Sequence, residues 1–186
     1  MNDTSPNGRR ILSLALPHLP TDRLARLRRG REWRASGPPE HPPVVITARD
    51  GTAVRLVSLD DEAGRLGLRP GLGLAEARAR HPDLDARPAD MEADQRFLEG
   101  IADWCDRYTP LVALDGNGGL FLDITGCAHL FGGEKALMDD LLARLFHQGL
   151  DARAAIAAAP GTAFALARYG SGMIVETGAE AGALRP

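Results

Sequence analysis

The sequence predicts an α+β fold in which a ferredoxin-like βαββαβ domain carries a small α+β insertion after its first strand. Two observations predict it. A Gly/Asn-rich gap at residues 115–119 separates two apolar runs, Leu111–Leu114 and Leu120–Ile124, and this pattern is typical of a β-hairpin. When residues 21–88 are set aside, the remaining order is strand, helix, strand, strand, helix, strand, which is the split βαβ arrangement.

Length and composition indicate a globular protein. The chain has 186 residues, 44% hydrophobic and 25% charged, enough for one domain or one domain with a substantial insertion. No apolar run approaches the ~18 residues of a membrane span, and Met1–Arg10 is too polar for a signal peptide. A soluble, cytoplasmic protein without a membrane partner is therefore expected.

Metal and disulfide sites are not predicted. Cys105 and Cys127 lack the spacing of a metal site and lie in apolar contexts, so we expect two small buried thiols. The five histidines are scattered without ligand spacing, and we expect exposed or turn positions for His18, His41, His81, His129 and His147.

Charge is distributed unevenly along the chain. Residues 1–89 carry 15 arginines and 11 acids, whereas residues 90–186 carry 7 basic groups and 14 acids. A dense arginine run consists of Arg23, Arg26, Arg28, Arg29, Arg31 and Arg34. Such a run favours either a phosphate-facing patch or a solvated helix face in an arginine-rich protein, in which Lys135 is the only lysine.

The first elements follow from local patterns. Ile11–Leu16 is an apolar run that prolines end, which predicts a short buried strand. Thr21 is suited to cap a short helix whose Leu24 and Leu27 face inward. A stiff, proline-rich connector, Ser36–Pro43, follows.

The insertion continues with a hairpin and two short helices. Val44–Arg49 and Thr52–Ser58 are strand-like and meet at an Asp-Gly pair, a strong two-residue hairpin signal. Asp60–Leu66 and Leu74–Arg80 are helix-like. Residues 21–88 are thus predicted to form a small α+β unit.

The second half supplies the rest of the larger domain. Its predicted elements around the hairpin are helices at Ala89–Tyr108, Glu134–Gln148 and Pro160–Tyr169, and strands at Ala152–Ala158 and Met173–Val175. The predicted domain boundaries are residues 1–9 for a disordered leader, 10–20 with 89–178 for the larger domain, 21–88 for the insertion, and 179–186 for a linker.

Several motifs then carry a resemblance. DDEAGRLGLRPGL at 60–72, LALPHLPTDRL at 14–24, YTPLVALDG at 108–116 and DITGCAHLFGG at 123–133 resemble Y-family translesion DNA polymerases. Within that family the last three of these segments are most similar to the polymerase-like subunit of a bacterial mutagenesis cassette. The resemblance covers about residues 10–178 and implies a palm with an inserted fingers domain. It also implies that thumb and little-finger domains follow elsewhere, so this chain is expected to be an amino-terminal fragment.

The resemblance also implies where a polymerase site would lie. The first metal-binding acid falls on Ala15 and Leu16, and the acidic pair of the second strand falls on Asp115 and Gly116. The tyrosine and arginine that hold the incoming triphosphate fall on Asp61 and Gly64, and a triphosphate-binding lysine falls near Pro160 and Gly161. Each of these positions is degenerate relative to the family pattern.

Those losses bear directly on catalysis. Two magnesium ions need several carboxylates, and a single aspartate cannot supply them. The loss of one charged group in phosphoryl transfer commonly costs a hundredfold or more. We therefore expect no catalytic residue, no bound metal and no cofactor, and we expect Asp123 to be a structural or capping acid, with residual Mg²⁺ binding by Asp115 and Asp123 as the minority interpretation.

Three functions remain open. The first is a catalytically inactive scaffold for error-prone translesion synthesis in the SOS response to DNA damage, with DNA contacts from Arg23, Arg26, Arg28 and Arg29. For it the resemblance implies an error-prone replicative-type polymerase, the sliding clamp and a RecA-like accessory protein as partners. The second is an active low-fidelity polymerase with a degenerate site. The third is a protein-interaction domain that does not touch DNA.

Overall fold

The structure is a computed structural model that describes residues 8–37, 40–116, 118–170 and 172–183. The described residues form two compact units. The first unit draws on the described residues within Met1–Pro17, Leu98–Leu145 and Ala152–Pro186, and the second on those within His18–Phe97 and Phe146–Asp151.

The first unit contains a four-stranded sheet with helices. Its strands are β1 (Ile11–Ala15), β5 (Val112–Leu114), β6 (Gly119–Asp123) and β7 (Arg153–Ala157). Its helices include a 3-10 helix (Ala128–Phe131), α6 (Pro160–Tyr169) and α7 (Glu180–Ala183), while α4 (Met91–Cys105) and α5 (Glu134–His147) contribute residues to both units.

The sheet has the strand order β5-β6-β1-β7, and every neighbouring pair within it is antiparallel. This is the ferredoxin-like order that the split βαβ pattern predicts. In the register, Ile11 lies opposite Asp123 and Ala15 lies opposite Gly119. The predicted α+β class and the central hairpin are confirmed.

The core of this unit is made by apolar faces that the sequence periodicity marks. Along α5, Leu137, Leu141 and Leu145 recur at steps of four and are buried. Against β1 and β7, α6 packs small residues such as Ala163 and Ala167, which bring helix and sheet close together.

The second unit contains a three-stranded sheet of order β3-β2-β4. Its elements are α1 (Leu19–Arg29), β2 (Val44–Asp50), β3 (Ala53–Leu59), α2 (Asp61–Arg65), α3 (Leu74–Arg80) and β4 (Asp85–Pro88). A tight hairpin joins β2 to β3 as predicted, but Asp50 pairs with Ala53, so the two-residue loop is Gly51-Thr52 and not Asp50-Gly51. Gly51, the first residue of this loop, has φ +60°, which favours glycine there. The short strand β4, parallel to β2, was missed because its sequence has no apolar alternation.

Several local predictions were wrong. Helix α1 begins at Leu19 with His18 as its N-cap, and Thr21 lies inside the first turn, where its hydroxyl donates to the His18 carbonyl. Leu27 is 73% exposed instead of buried. Instead of the predicted strand Met173–Val175, the described residues there form an isolated parallel bridge between Ile174 and Ile156. Helix α7 lies within the predicted linker, and residues 1–7 of the predicted leader and 184–186 of that linker lie outside the described residues.

Cysteine placement agrees only in part with the prediction of two buried thiols. Both cysteines are free, Cys105 is buried, and Cys127 is partly exposed. Burial raises the pKa of the Cys105 thiol to about 12, so this thiol stays protonated at neutral pH. Each helix among the described residues is too short or too polar to cross a lipid bilayer.

Candidate functional site

The end of β1 lies beside the central hairpin, and both contain positions that the family resemblance identified as degenerate polymerase-site residues. Ala15, the last residue of β1, pairs with Gly119 on β6 and with Arg153 on β7. Ala15 and Leu16 are both buried, each 4% exposed. Their side chains carry no oxygen, so β1 offers no carboxylate to a cation at this edge.

Asp115 lies in the turn of the same hairpin, directly before Gly116. Its Oδ1 accepts the Gly119 amide at 3.0 Å, and its Oδ2 accepts a hydrogen bond from Arg168 Nη2 at 2.6 Å. The Asp115 side chain is fully buried. Gly116 has φ +76°, a left-handed conformation that suits glycine at this turn. The acid in the turn of the hairpin is therefore held by a cation from α6.

Arg168 is oriented by its own helix. Its guanidinium carbon lies 4.0 Å from the centre of the Phe164 ring, one helical turn earlier, so the aromatic face supports the cation. Only 14% of the Arg168 side chain is exposed. The charge of Asp115 is thus balanced inside the protein by a residue that the sequence analysis did not single out.

Asp123 lies at the other end of β6. Because Asp123 pairs with Ile11 whereas Gly119 pairs with Ala15, the two ends are four strand residues, or about 13 Å, apart. Asp123 instead accepts hydrogen bonds from the Thr125 amide and from Arg9 Nε. Burial opposes ionisation, but the Thr125 and Arg9 hydrogen bonds outweigh it and hold the pKa of Asp123 below its usual range.

The described residues of this edge do not fit a pair of magnesium ions. Mg²⁺ requires oxygen ligands, and a two-metal site needs carboxylates that bridge both ions. Among the residues described at the β1 end and in the turn of the β5–β6 hairpin, Asp115 supplies the carboxylate, and its oxygens are bonded to an amide and a guanidinium. The set of carboxylates that a magnesium-dependent transfer needs is therefore incomplete among these described residues.

The remaining predicted positions lie on short helices. Asp61 is the first residue of α2, and Arg34 Nη1 donates to its Oδ2 at 2.8 Å. Gly64 lies in the same helix, where an added Cβ would be 3.4 Å from the Leu59 side chain. Gly161 lies in the first turn of α6, and an added Cβ there would meet open space.

A cluster in the second unit was missed by sequence reasoning. His18 Nε2 lies 3.2 Å from Asp61 Oδ1 and 3.6 Å from Asp151 Oδ2. His18 lies in the turn before α1, which agrees with the prediction of an exposed or turn histidine, whereas its approach to Asp61 and Asp151 was not predicted. Its partners are far away in sequence, and spacing rules detect only local ligand pairs.

The arginine run is largely engaged within the second unit. Arg23 pairs with Asp94 at 2.6 Å and Arg28 with Asp85 at 2.8 Å. Arg26 donates to the Gln148 carbonyl and also lies over the Phe97 ring. Arg29 faces the Trp33 ring at 6.0 Å. DNA contact by Arg23, Arg26, Arg28 and Arg29 stays a prediction.

Comparison with known proteins identifies relatives. The chain matches the impB/mucB/samB family (IMS) over residues 38–167. Protein ImuB of Caulobacter vibrioides, in strains NA1000 and ATCC 19089, is 51% identical over 110 residues, which are 59% of this chain and 24% of the relative. The chain therefore spans about a quarter of the length of the curated relatives it matches.

Solved structures share the fold at low sequence identity. An insertion ternary complex of Dbh DNA polymerase matches with a TM-score of 0.68 and 13% identity, covering 90% of this chain and 48% of that one. DinB from Sulfolobus solfataricus matches with a TM-score of 0.65 and 14% identity, covering 92% and 49%. The two-sheet α+β architecture is that of Y-family palm and fingers domains.

Proposed function

Because the chain belongs to the impB/mucB/samB family, we propose that it is a polymerase-like module without nucleotidyl transferase activity that supports translesion DNA synthesis as a scaffold. The observation that carries this proposal is the state of Asp115. Its carboxylate is fully buried and bonded to Arg168, while Ala15 and Gly119 beside it have no oxygen in their side chains.

Electrostatics explains why this arrangement favours inactivity. A carboxylate that already neutralises a guanidinium would have to break that pair before it could bind a divalent ion. The ion would then find one acidic side chain where two-metal transfer needs several. Within the second unit, a carboxylate that is bonded to Arg34, that of Asp61, stands at a position where the family resemblance implies triphosphate binding.

Primer extension tests the proposed inactivity. Full-length protein containing this chain is incubated with primed DNA and deoxynucleotides in Mg²⁺ or Mn²⁺, next to an Asp115→Asn variant. We expect no extension by either protein. Extension by the wild type that is lost in Asp115→Asn, but retained in a matched Asp139→Asn control on α5, would contradict inactivity and favour an active low-fidelity polymerase. Asp139 is suited to this control because it is exposed and pairs with Lys135.

Scaffolding implies partners, which we propose from the family resemblance. They are DNA, an error-prone replicative-type DNA polymerase, the sliding clamp and a RecA-like accessory protein. Because the chain spans about a quarter of its relatives, these contacts are expected to involve regions outside it as well. Co-purification of each partner with the 186-residue chain and with the full-length protein separates the two contributions.

A further inference from the structure

Three ligand-type atoms converge in the second unit, independently of the proposed function. They are His18 Nε2, Asp61 Oδ1 and Asp151 Oδ2, and all lie within 4.8 Å of one another. His18 caps α1, Asp61 opens α2, and Asp151 precedes β7, so three separate segments contribute one ligand atom each. This convergence is produced by the tertiary fold.

The orientation of the imidazole leaves its Nε2 directed at two acids. His18 Nδ1 lies 2.6 Å from the Leu59 carbonyl oxygen, which can only accept a hydrogen bond, so Nδ1 carries the proton. In the neutral ring, Nε2 then directs a lone pair at the oxygens of Asp61 and Asp151. Lone pair and carboxylates repel one another unless a positive charge lies between them. A backbone carbonyl that fixes the far nitrogen is the usual support for a metal-binding histidine.

The two carboxylates are supported by a shared pair of residues. Asp61 uses Oδ2 to accept from Arg34 and directs Oδ1 at His18. Arg34 also donates to Asp22 Oδ1 at 2.7 Å, and Asp22 Oδ2 accepts the Asp151 amide at 2.7 Å. Arg34 therefore holds the Asp61 carboxylate and Asp22 holds the backbone at Asp151, in the manner of outer residues around metal sites.

We propose that His18, Asp61 and Asp151 bind one divalent transition-metal ion, with Zn²⁺ as the best match. Ligand atoms about 2.1 Å from a tetrahedral zinc lie about 3.4 Å apart, and the separations from His18 are 3.2 and 3.6 Å. Imidazole with two carboxylates suits zinc better than magnesium, which prefers oxygen alone. The side chains are 16%, 41% and 31% exposed, which leaves access for the ion and a water ligand.

Metal titration tests this site. The chelator-treated 186-residue chain is titrated with Zn²⁺ by calorimetry, and with Co²⁺ while its visible absorption reports the coordination geometry. We expect saturation at one equivalent and a tetrahedral Co²⁺ spectrum. Asp151→Asn keeps the shape of the side chain and should lower Zn²⁺ affinity at least tenfold. The matched control is Asp139→Asn, an exposed acid outside the cluster, and should leave the affinity unchanged. Equal affinity in Asp151→Asn and the wild type would overturn the site.

A second measurement on the unaltered chain covers the case in which Asp151→Asn fails to fold. Nitrogen-15 spectra of the five histidine rings are recorded before and after one equivalent of Zn²⁺. We expect one ring to shift, with Nε2 as the metal-bound nitrogen, and the shifting signal to be missing in His18→Gln. If no ring shifts, or if His129 shifts in its place, the site is overturned. A ring protonated on both nitrogens that takes up no metal also overturns it, because an imidazolium then bridges the two acids.

Discussion

Asp115 on the central hairpin and Arg168 on α6 form a buried ion pair, with 2.6 Å between Oδ2 and Nη2. A pair of this kind contributes little net stability when compared with apolar residues, but removal of one partner leaves a charge in a poorly solvated place. The pair also ties the hairpin to the helix that packs on β1 and β7.

Replacement of Arg168 by leucine should therefore destabilise the chain strongly. We expect the free energy of unfolding to fall by about 3 kcal/mol, because the buried Asp115 side chain loses the cation that it is paired with. Denaturant unfolding of the wild type and the variant measures this loss of stability. The double variant Asp115→Asn with Arg168→Leu should recover part of the loss, and strict additivity would contradict coupling. The exposed Glu92–Arg96 pair provides the control, since Arg96→Leu should cost less than about 0.5 kcal/mol.

Gly119 is the residue of β6 that faces Ala15 across the strand pair. A Cβ added there would fall 2.6 Å from Asp115 Oδ2 and would also collide with the Leu14 carbonyl oxygen. Gly119→Ala should therefore lower the free energy of unfolding by about 1–3 kcal/mol through overpacking. Gly161→Ala on α6 is the matched control, because an added Cβ there meets open space and alanine favours helix. The free energy of unfolding of this variant should equal or exceed that of the wild type. Equal effects at the two positions would contradict the steric account.

The order of elements could be predicted from sequence because it depends on local periodicity. The apolar stripe of α5 and the glycine-rich gap before β6 are visible without any tertiary information. Strand β4 escaped prediction because a parallel partner, β2, and not its own four residues, makes it a strand. Leu27 was wrongly predicted to face inward, because the periodicity of apolar residues marks one face of a helix but does not show which part of that face is covered by other elements.

The candidate site divides in the same way. The absence of acids at Ala15 and Gly116 can be read directly from the sequence, given the family resemblance. That Arg168 pairs with Asp115 could not be predicted, because residues so far apart in the chain meet only through the packing of α6 on the sheet. The partners of His18 were hidden for the same reason.

Asp22 gives the stability of the second unit a distinctive pH dependence. Burial raises the pKa of Asp22 to about 6, although Arg34 and the Asp151 amide act in the opposite direction. Burial acts to lower the pKa of Arg34, but the carboxylates of Asp22 and Asp61 outweigh it and raise this pKa above its usual range.

The direction in which stability changes with pH follows from proton binding by Asp22. Between the ordinary value near 3.8 and about 6, the folded state holds a proton on Asp22 that the unfolded state has lost. The contribution of Asp22 is thus fully present below about pH 4 and is lost as the pH rises through 6. We expect the wild type to lose up to about 3 kcal/mol relative to Asp22→Asn between pH 4 and 7. Unfolding of both proteins at each pH measures the difference, and a flat difference would contradict a raised pKa.

Arg29 offers the cleanest test of DNA binding within the arginine run. Arg23 and Arg28 pair with acids and Arg26 bonds to a backbone carbonyl, so neutralising them would also disturb the fold. The contact described for Arg29 is with the Trp33 ring at 6.0 Å, so Arg29→Gln should leave the melting temperature nearly unchanged.

If Arg29 faces phosphate, Arg29→Gln should weaken binding to primed DNA equally across sequences and reduce the slope of log affinity against log salt by about 1. Fluorescence anisotropy over a salt series measures both. Arg96→Gln, at an exposed position of α4, is the matched control and should leave the slope unaltered. DNA binding that changes in neither variant would place the DNA contact elsewhere. Contact with phosphates releases counterions and makes DNA binding depend on salt. If the full-length protein shows no salt-dependent DNA binding, a protein-interaction role is favoured.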